Sequence, residues 1–368
     1  MSGRGGAAAR RGLITARLSR LRALLAVAVA VLGIALTQAR ADDVADFYKG
    51  KRVNIIVSYG PGGGYDVYAR VLAHHIGKYI PGNPTIVVQN MPGAGSLRGT
   101  NYLYNVAPKD GTAFGTFARN MALIGLLKTN QNVQFDPARF TWLGSSSSFA
   151  NDAYLLLVRK DAKVKTVEEA RRPGGPPIII GSTAEGASSD AMAILLREWL
   201  GFNMKVIPGY TDSGVLFLAL ERGEIEGRTV GLSAVHSNRP DWLRPNGLAR
   251  ALVVFGRGSR HPDFPDAPTA RELAKSDADR ELIEVIEIPY ALSRPFAAPP
   301  DVPPDRAKAL QDAFLATHKD PAYVAEAEKL GIEISPIGKD DVLKMIDKIA
   351  KTRPEQLKRI EKLITEGG

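Results

Sequence analysis

Val53-Asn-Ile-Ile-Val-Ser-Tyr-Gly-Pro-Gly-Gly-Gly-Tyr-Asp66 is an apolar run that ends in a glycine turn and enters the helical pattern Val67-Tyr-Ala-Arg-Val-Leu. Such a turn aims backbone N–H groups and the positive end of a helix dipole beyond the strand's carboxyl end, an arrangement that suits an anion. Two readings of Gly62, Gly63, Gly64, Tyr65 and Asp66 stand side by side: an anion seat, or a tight connection with Asp66 as helix N-cap. Two later turns share this make-up. Asn90-Met-Pro-Gly-Ala-Gly-Ser-Leu-Arg98 carries Gly93, Ala94, Gly95 and Ser96, and Gly181-Ser-Thr-Ala-Glu-Gly-Ala-Ser-Ser189 carries Ser182 and Ser188. In open α/β sheets ligands bind beyond the carboxyl ends of strands, so turns of this kind in both halves of the chain point to one cleft between two units.

Covalent and metal chemistry find little support. Gly60-Pro-Gly62-Gly-Gly64-Tyr65 places tyrosine where a dinucleotide fingerprint needs its third glycine, and no P-loop pattern exists. His74, His75, His236, His261 and His318 lie in no zinc-ligand spacing, and no G-x-S-x-G elbow occurs. The absence of cysteine excludes thiol chemistry and cysteine-held metals. A binding protein without cofactor or metal is expected, not an enzyme.

The elements that must position these turns alternate. Val53–Tyr59, Thr85–Gln89 and Thr112–Phe117 read as strands, and Val67–Lys78 and Leu97–Asn105 as helices. The second series places strands at Ile178–Ile180, Lys205–Ile207 and Ile225–Thr229, with helices at 188–200 and 213–222. This predicts two α/β units, each a mostly parallel sheet flanked by helices, with a hinge between them. Phe140–Phe149 and the path through Ala249–Phe255 and His261–Pro268 are the expected crossings. Lobe 1 is then 42–148 plus 262–368, lobe 2 is 149–261, and the tail after Pro303 is helical.

At the N-terminus six arginines from Arg4 to Arg22 precede the apolar run Ala23–Leu36, then Ala39-Arg40-Ala41 and two aspartates. That order is a secretory signal peptide over 1–41, and the run is shorter than the roughly 20 residues a bilayer span needs. Cleavage after Ala41 and release into the periplasm are expected. These 41 residues hold seven arginines and no acid, so the formal charge falls from +9 to +2 on their removal. The remaining charges are scattered, which removes the case for nucleic acid.

Several of these stretches together resemble a known family. Val57-Ser-Tyr-Gly-Pro-Gly-Gly-Gly-Tyr-Asp-Val-Tyr-Ala-Arg70, Val87-Val-Gln-Asn-Met-Pro-Gly-Ala-Gly95, Ala107-Pro-Lys-Asp-Gly-Thr112, Phe264-Pro-Asp-Ala-Pro-Thr269 and Arg294-Pro-Phe-Ala-Ala-Pro-Pro-Asp-Val-Pro303 are similar, in order and spacing, to the Bug-type solute receptors of tripartite tricarboxylate transporters. The resemblance implies a two-lobed, type II-like periplasmic binding protein that closes on a small mono- or dicarboxylate and delivers it to membrane permease subunits, and a monomer is expected. It also implies that the carboxylate is held at Gly62–Asp66, with further contacts from the Pro92–Ser96 turn, Ser182, Ser188 and Asn120. One departure stands out: Ile225-Glu-Gly-Arg-Thr-Val-Gly231 lacks the second acid of a V-D-x-x-x-D ending and brings in Arg228. Arg228 is a second carboxylate grip, a solvated strand-end cation or the partner of Glu226 in an ion pair. A ligand-sensing subunit on the same fold, and more remotely a periplasmic hydrolase, are the alternatives.

Overall fold

The computed structural model describes residues 43–128, 131–148, 152–183 and 187–366. The expected signal peptide and its cleavage site lie outside the described residues. A short helix α1 (43–48) sets Val44 and Tyr48 into a core that β1 (Arg52–Val57), α2 (Gly64–Ile76), β2 (Thr85–Asn90), α3 (Leu97–Asn105), β3 (Ala113–Thr116), α4 (Met121–Leu127) and β4 (Thr141–Ser145) then build. The second unit runs β5 (Tyr154–Arg159), α5 (Val167–Ala170), β6 (Ile178–Gly181), α6 (Ser188–Glu198), β7 (Met204–Ile207), α7 (Ser213–Arg222), β8 (Gly227–Gly231), α8 (Leu232–Asn238) and β9 (Ala249–Phe255). The chain returns through α9 (Asp277–Glu287), β10 (Pro295–Ala298), α10 (Pro304–Thr317), α11 (Pro321–Lys329), β11 (Ile337–Gly338), α12 (Lys339–Ala350) and α13 (Pro354–Glu366).

Helix α2 forms because Tyr68, Leu72 and Ile76, with Ala69 and Val71 beside them, recur at helical spacing and are all buried. On its other face His74 and His75 meet Glu326 of α11 at 2.8 and 2.7 Å, which ties α2 to α11. Strand β5 is apolar and buried from Tyr154 to Val158, as a central strand covered on both faces must be.

Among the described residues the strands form a sheet ordered β11-β4-β10-β3-β1-β2 and another ordered β7-β6-β8-β5-β9. β1 is parallel to β2 and β3, and β6 to β7 and β8, which gives each lobe the parallel βαβ core read from the sequence. Both sheets are nonetheless mixed, because β10 lies antiparallel between β3 and β4, and β5 antiparallel between β8 and β9. The expected crossings themselves supply strands: Phe140–Phe149 contains β4 and the return path Ala249–Phe255 is β9, each running with the parallel strands of its sheet, while β10 and β5 beside them are the reversed ones. The return continues through α9, whose Leu282, Ile283 and Ile286 share a core with α6 and β6 of the second sheet. Ile360, Leu363 and Ile364 of α13 join the same core, while α12 packs on β4 and α4.

Candidate functional site

The two sheets meet over a cavity of about 60 Å³ bounded by the segments that follow β1, β3 and β6 and by the start of β5, the end of β8 and the segment before β10. Gly63, Gly64 and Tyr65 enter it from one lobe, and Ser188, Ser213 and Arg228 from the other. The N-termini of α2, α6, α7 and α8 all reach this wall. Those of α2, α6 and α8 follow Gly63, Ala187 and Gly231, none of which gives a side-chain cap. At α8 the first two N–H groups are taken, that of Leu232 by Ala153 O at 2.9 Å and that of Ser233 by Asp152 Oδ1 at 3.1 Å, so it is the positive ends of α2 and α6 that face the cavity.

Three arginines line the same small space, and Arg119, Arg228 and Arg294 are each only 2% exposed. Arg119 donates from its backbone N–H and Nε to Tyr65 Oη at 3.1 and 3.3 Å, and its guanidinium lies over Tyr154 and Tyr290. Arg294 donates to Ser293 O at 2.8 Å and to Ser233 Oγ at 3.1 Å, and lies over the rings of Tyr65 and Tyr68. Ser233 Oγ in turn donates to Asp152 Oδ2 at 2.7 Å. A Cβ at Gly231 would stand 3.4 Å from an Arg294 nitrogen and 3.6 Å from an Arg119 nitrogen, so both guanidiniums crowd one spot at the start of α8. Arg228 donates to Ser213 O at 2.9 Å and to Ser213 Oγ at 2.8 Å, over the ring of Phe217. It makes no ion pair with Glu226, which instead accepts the Ile179 N–H. Burial lowers the Arg228 pKa to about 10, with Tyr154 and Asp212 partly opposing. Among the described residues neither Arg228 nor Arg294 has a carboxylate partner. Burial works to raise the Tyr65 phenol, but the fields of Arg119 and Arg294 outweigh it and lower its pKa.

The remaining expected residues fall into two groups. Asp66 is not the N-cap; it lies one turn inside α2 and reaches back to the Gly62 N–H at 2.8 Å, with Arg70 and Asn90 on its other lone pairs. Burial would raise this carboxyl, but those partners hold it below the usual range. Gly62 and Asp66 thus close the turn upon each other, a half capping box, and stand behind the wall. Asn120 and Ser182 also lie one layer back: Asn120 Oδ1 accepts from Ser188 Oγ at 2.8 Å, and Ser182 Oγ is 3.4 Å from Ser189 Oγ. Gly93, Ala94, Gly95 and Ser96 line a neighbouring cavity that shares Tyr59 and Thr183 with the first.

Arg119 and Arg294 escaped the sequence reading. Arg294 stands in one of the recognised stretches, and Arg119 interrupts the apolar run from Phe114 to Leu123. Arginine is rarely buried without a partner, so a lone cation inside an apolar run was the available signal.

Comparison with known proteins accounts for this architecture. The family described as tripartite tricarboxylate transporter family receptor matches residues 68–367, beginning just after the glycine turn. A UPF0065 protein from the gbd 5′ region of Cupriavidus necator is 27% identical over 85% of this chain and 88% of its own. Among solved structures, the periplasmic binding protein BugD superposes with a TM-score of 0.67 at 21% identity, over 86% of this chain and 98% of its own. MatC from Rhodopseudomonas palustris, with bound malate, gives 0.59 at 20% identity over 85% and 99%. The chain belongs to the family of tripartite tricarboxylate transporter receptors, which are solute-binding proteins and not enzymes.

Proposed function

We propose that this receptor works in the periplasm, captures a small organic anion, a mono- or dicarboxylate, in the arginine cavity, and hands it to the membrane subunits of a tripartite tricarboxylate-type transporter. The observation that carries the reading is the burial of Arg228 and Arg294 with no carboxylate partner among the described residues. A pKa lowered from 12.5 to about 10 means that burial costs the charged form of Arg228 about 3 kcal/mol, which a bound anion offsets. Malate in the Rhodopseudomonas neighbour supports the carboxylate class. A water needs about 10–15 Å³ of such space, so about 60 Å³ holds a few waters or the head of one compact acid.

Capture would bias a hinged equilibrium between lobes, with Ser188 bonded to Asn120 across the junction. In the proposed division lobe 1 takes 42–148 and lobe 2 takes 149–261, and of the segment 262–368 the stretch from Phe264 to Tyr290 and α13 go with lobe 2 while lobe 1 keeps the rest. The test is a thermal melt of the protein with acetate, propionate, succinate and malate beside their amides. An acid at a hundredfold excess over its Kd adds about 2.7 kcal/mol to native stability, and its amide adds none. Equal stabilisation by acids and amides, or none by any acid, overturns the reading.

A further inference from the structure

We propose that the neighbouring cavity is a second, uncharged subsite, so that the captured acid carries a charged head in the arginine cavity and an uncharged tail beside it. The inference rests on the arginine cavity being the anion seat, and adds what the rest of the ligand must be. The second cavity measures about 290 Å³, several times the first, and Tyr59 and Thr183 line both. Tyr59 lies flat on Tyr65, with ring centroids 4.9 Å apart and planes 11° from parallel, so an aromatic surface runs from the head site towards the tail site.

The chemistry of the two walls differs sharply. Three arginines and Asp212 line the first, whereas no described residue lining the second carries a charge. Tyr59, Pro92, Ala94, Tyr210 and Thr211 present rings, methyl groups and hydroxyls. A second carboxylate placed there would lose its water and gain no cation, while a methylene chain or a ring would gain by burial.

The wall is built rather than incidental. Gly93, Ala94, Gly95 and Ser96 all have positive φ (142, 47, 60 and 92°), a run that two non-glycine residues enter only under local constraint. The constraint is visible: Ser96 Oγ accepts the Ala118 N–H, and Thr100 donates to Ser96 O, each at 2.8 Å. Opposite, Gly209 at φ 103° has no atom within 4 Å of where a Cβ would stand, which leaves the space open.

Calorimetric titration with propionate, butyrate, pentanoate and hexanoate, and with the α,ω-diacids of equal carbon number, tests the proposal. Affinity is expected to rise about fourfold per added methylene, and each monoacid from butyrate onward to bind more tightly than its diacid. Thr211→Trp, which fills the second cavity from an exposed position, is expected to abolish the rise and leave propionate binding as in the wild type. Affinity independent of chain length, a diacid that equals or exceeds its monoacid, or hexanoate unaffected by Thr211→Trp would each overturn it. Should that variant melt abnormally, Tyr210→Ser takes its place: hexanoate must lose affinity relative to propionate, and an unchanged ratio overturns the subsite. Failure of every acid, propionate and succinate included, overturns the anion seat itself and the tail site with it.

Discussion

Arg294 reaches the cavity across Gly64: a Cβ built at residue 64 would stand 2.9 Å from an Arg294 guanidinium nitrogen and 3.2 Å from the Ala234 methyl. Glycine is there to let a cation pass. Its φ is not in the left-handed region, and it opens helix α2, where alanine is the better helix former by roughly 1 kcal/mol. The obstructed group is the far end of a flexible side chain, so the fold can yield by moving the arginine.

Gly64→Ala is therefore expected to leave the melting temperature unchanged or slightly raised while anion affinity falls tenfold or more. Paired melts and titrations with the best-binding acid check this. Loss of stability without loss of affinity would show that Gly64 serves packing alone.

The neighbouring glycines separate by conformation. Gly62 has φ +83° in open space, whereas Gly63 has φ −78° and would place a Cβ 3.6 Å from Ser213, an ordinary contact. Gly62→Ala is expected to cost about 1–2 kcal/mol through backbone strain, and Gly63→Ala well under 1. Urea unfolding of both variants decides; equal costs would mean that the turn adapts and Gly62 is not needed for its shape.

Much of this architecture was legible because local pattern and tertiary need agree. The helix over Leu97–Asn105 and the one over Ser213–Arg222 begin and end where spacing and caps place them, the latter at Asp212, whose side chain accepts the Val215 N–H, and at Gly223 with φ +74°. What escaped was set by partners distant in sequence. β5 and β9 are largely apolar runs, Tyr154–Val158 and Ala251–Phe255, whose antiparallel pairing no local signal announces. Asp66 looked like a cap, and only the fold shows the Gly62 N–H and Asn90 around it. Arg119 and Arg294 follow and precede the neighbouring antiparallel strands β3 and β10, and their importance lies in converging on Gly231, which is close in space and distant in sequence.

Arg228 exposes a tension between stability and binding. Its charge is buried over Phe217 in no ion pair among the described residues, and burial, opposed only in part by the fields of Tyr154 and Asp212, pushes its pKa down to about 10. Burial costs the charged form about 3 kcal/mol, a cost that an apolar side chain of similar length does not carry. Arg228→Met is thus expected to melt at or above the wild-type temperature without ligand, and to lose most of the ligand-induced shift. A variant that is markedly less stable yet binds normally would make Arg228 a structural brace for Ser213 rather than part of the anion seat.

His318 offers a pH test remote from the cavity. Its Nδ1 lies 2.7 Å from Phe314 O and so carries the proton, while Nε2, 3.1 Å from Tyr323 Oη, accepts from the phenol. The ring is 4% exposed, and burial lowers its pKa from 6.5 to about 4, the Phe314 carbonyl opposing in part. Between those values the unfolded chain binds a proton that the folded protein does not, so stability falls as pH drops from about 6.5 towards 4. At about 1.4 kcal/mol per unit the loss approaches 3 kcal/mol. The carboxylates of Glu326 and Asp320 have lowered pKa values and also lose their contribution in acid, but they do so in any variant at position 318 and cancel in a difference. His318→Gln is expected to be less stable than wild type at pH 7.5, with the gap narrowing steadily as pH falls to 4.5. Urea unfolding of both proteins at four pH values measures the gap directly, and a gap that stays constant across that range would mean His318 titrates alike in the folded and unfolded chain.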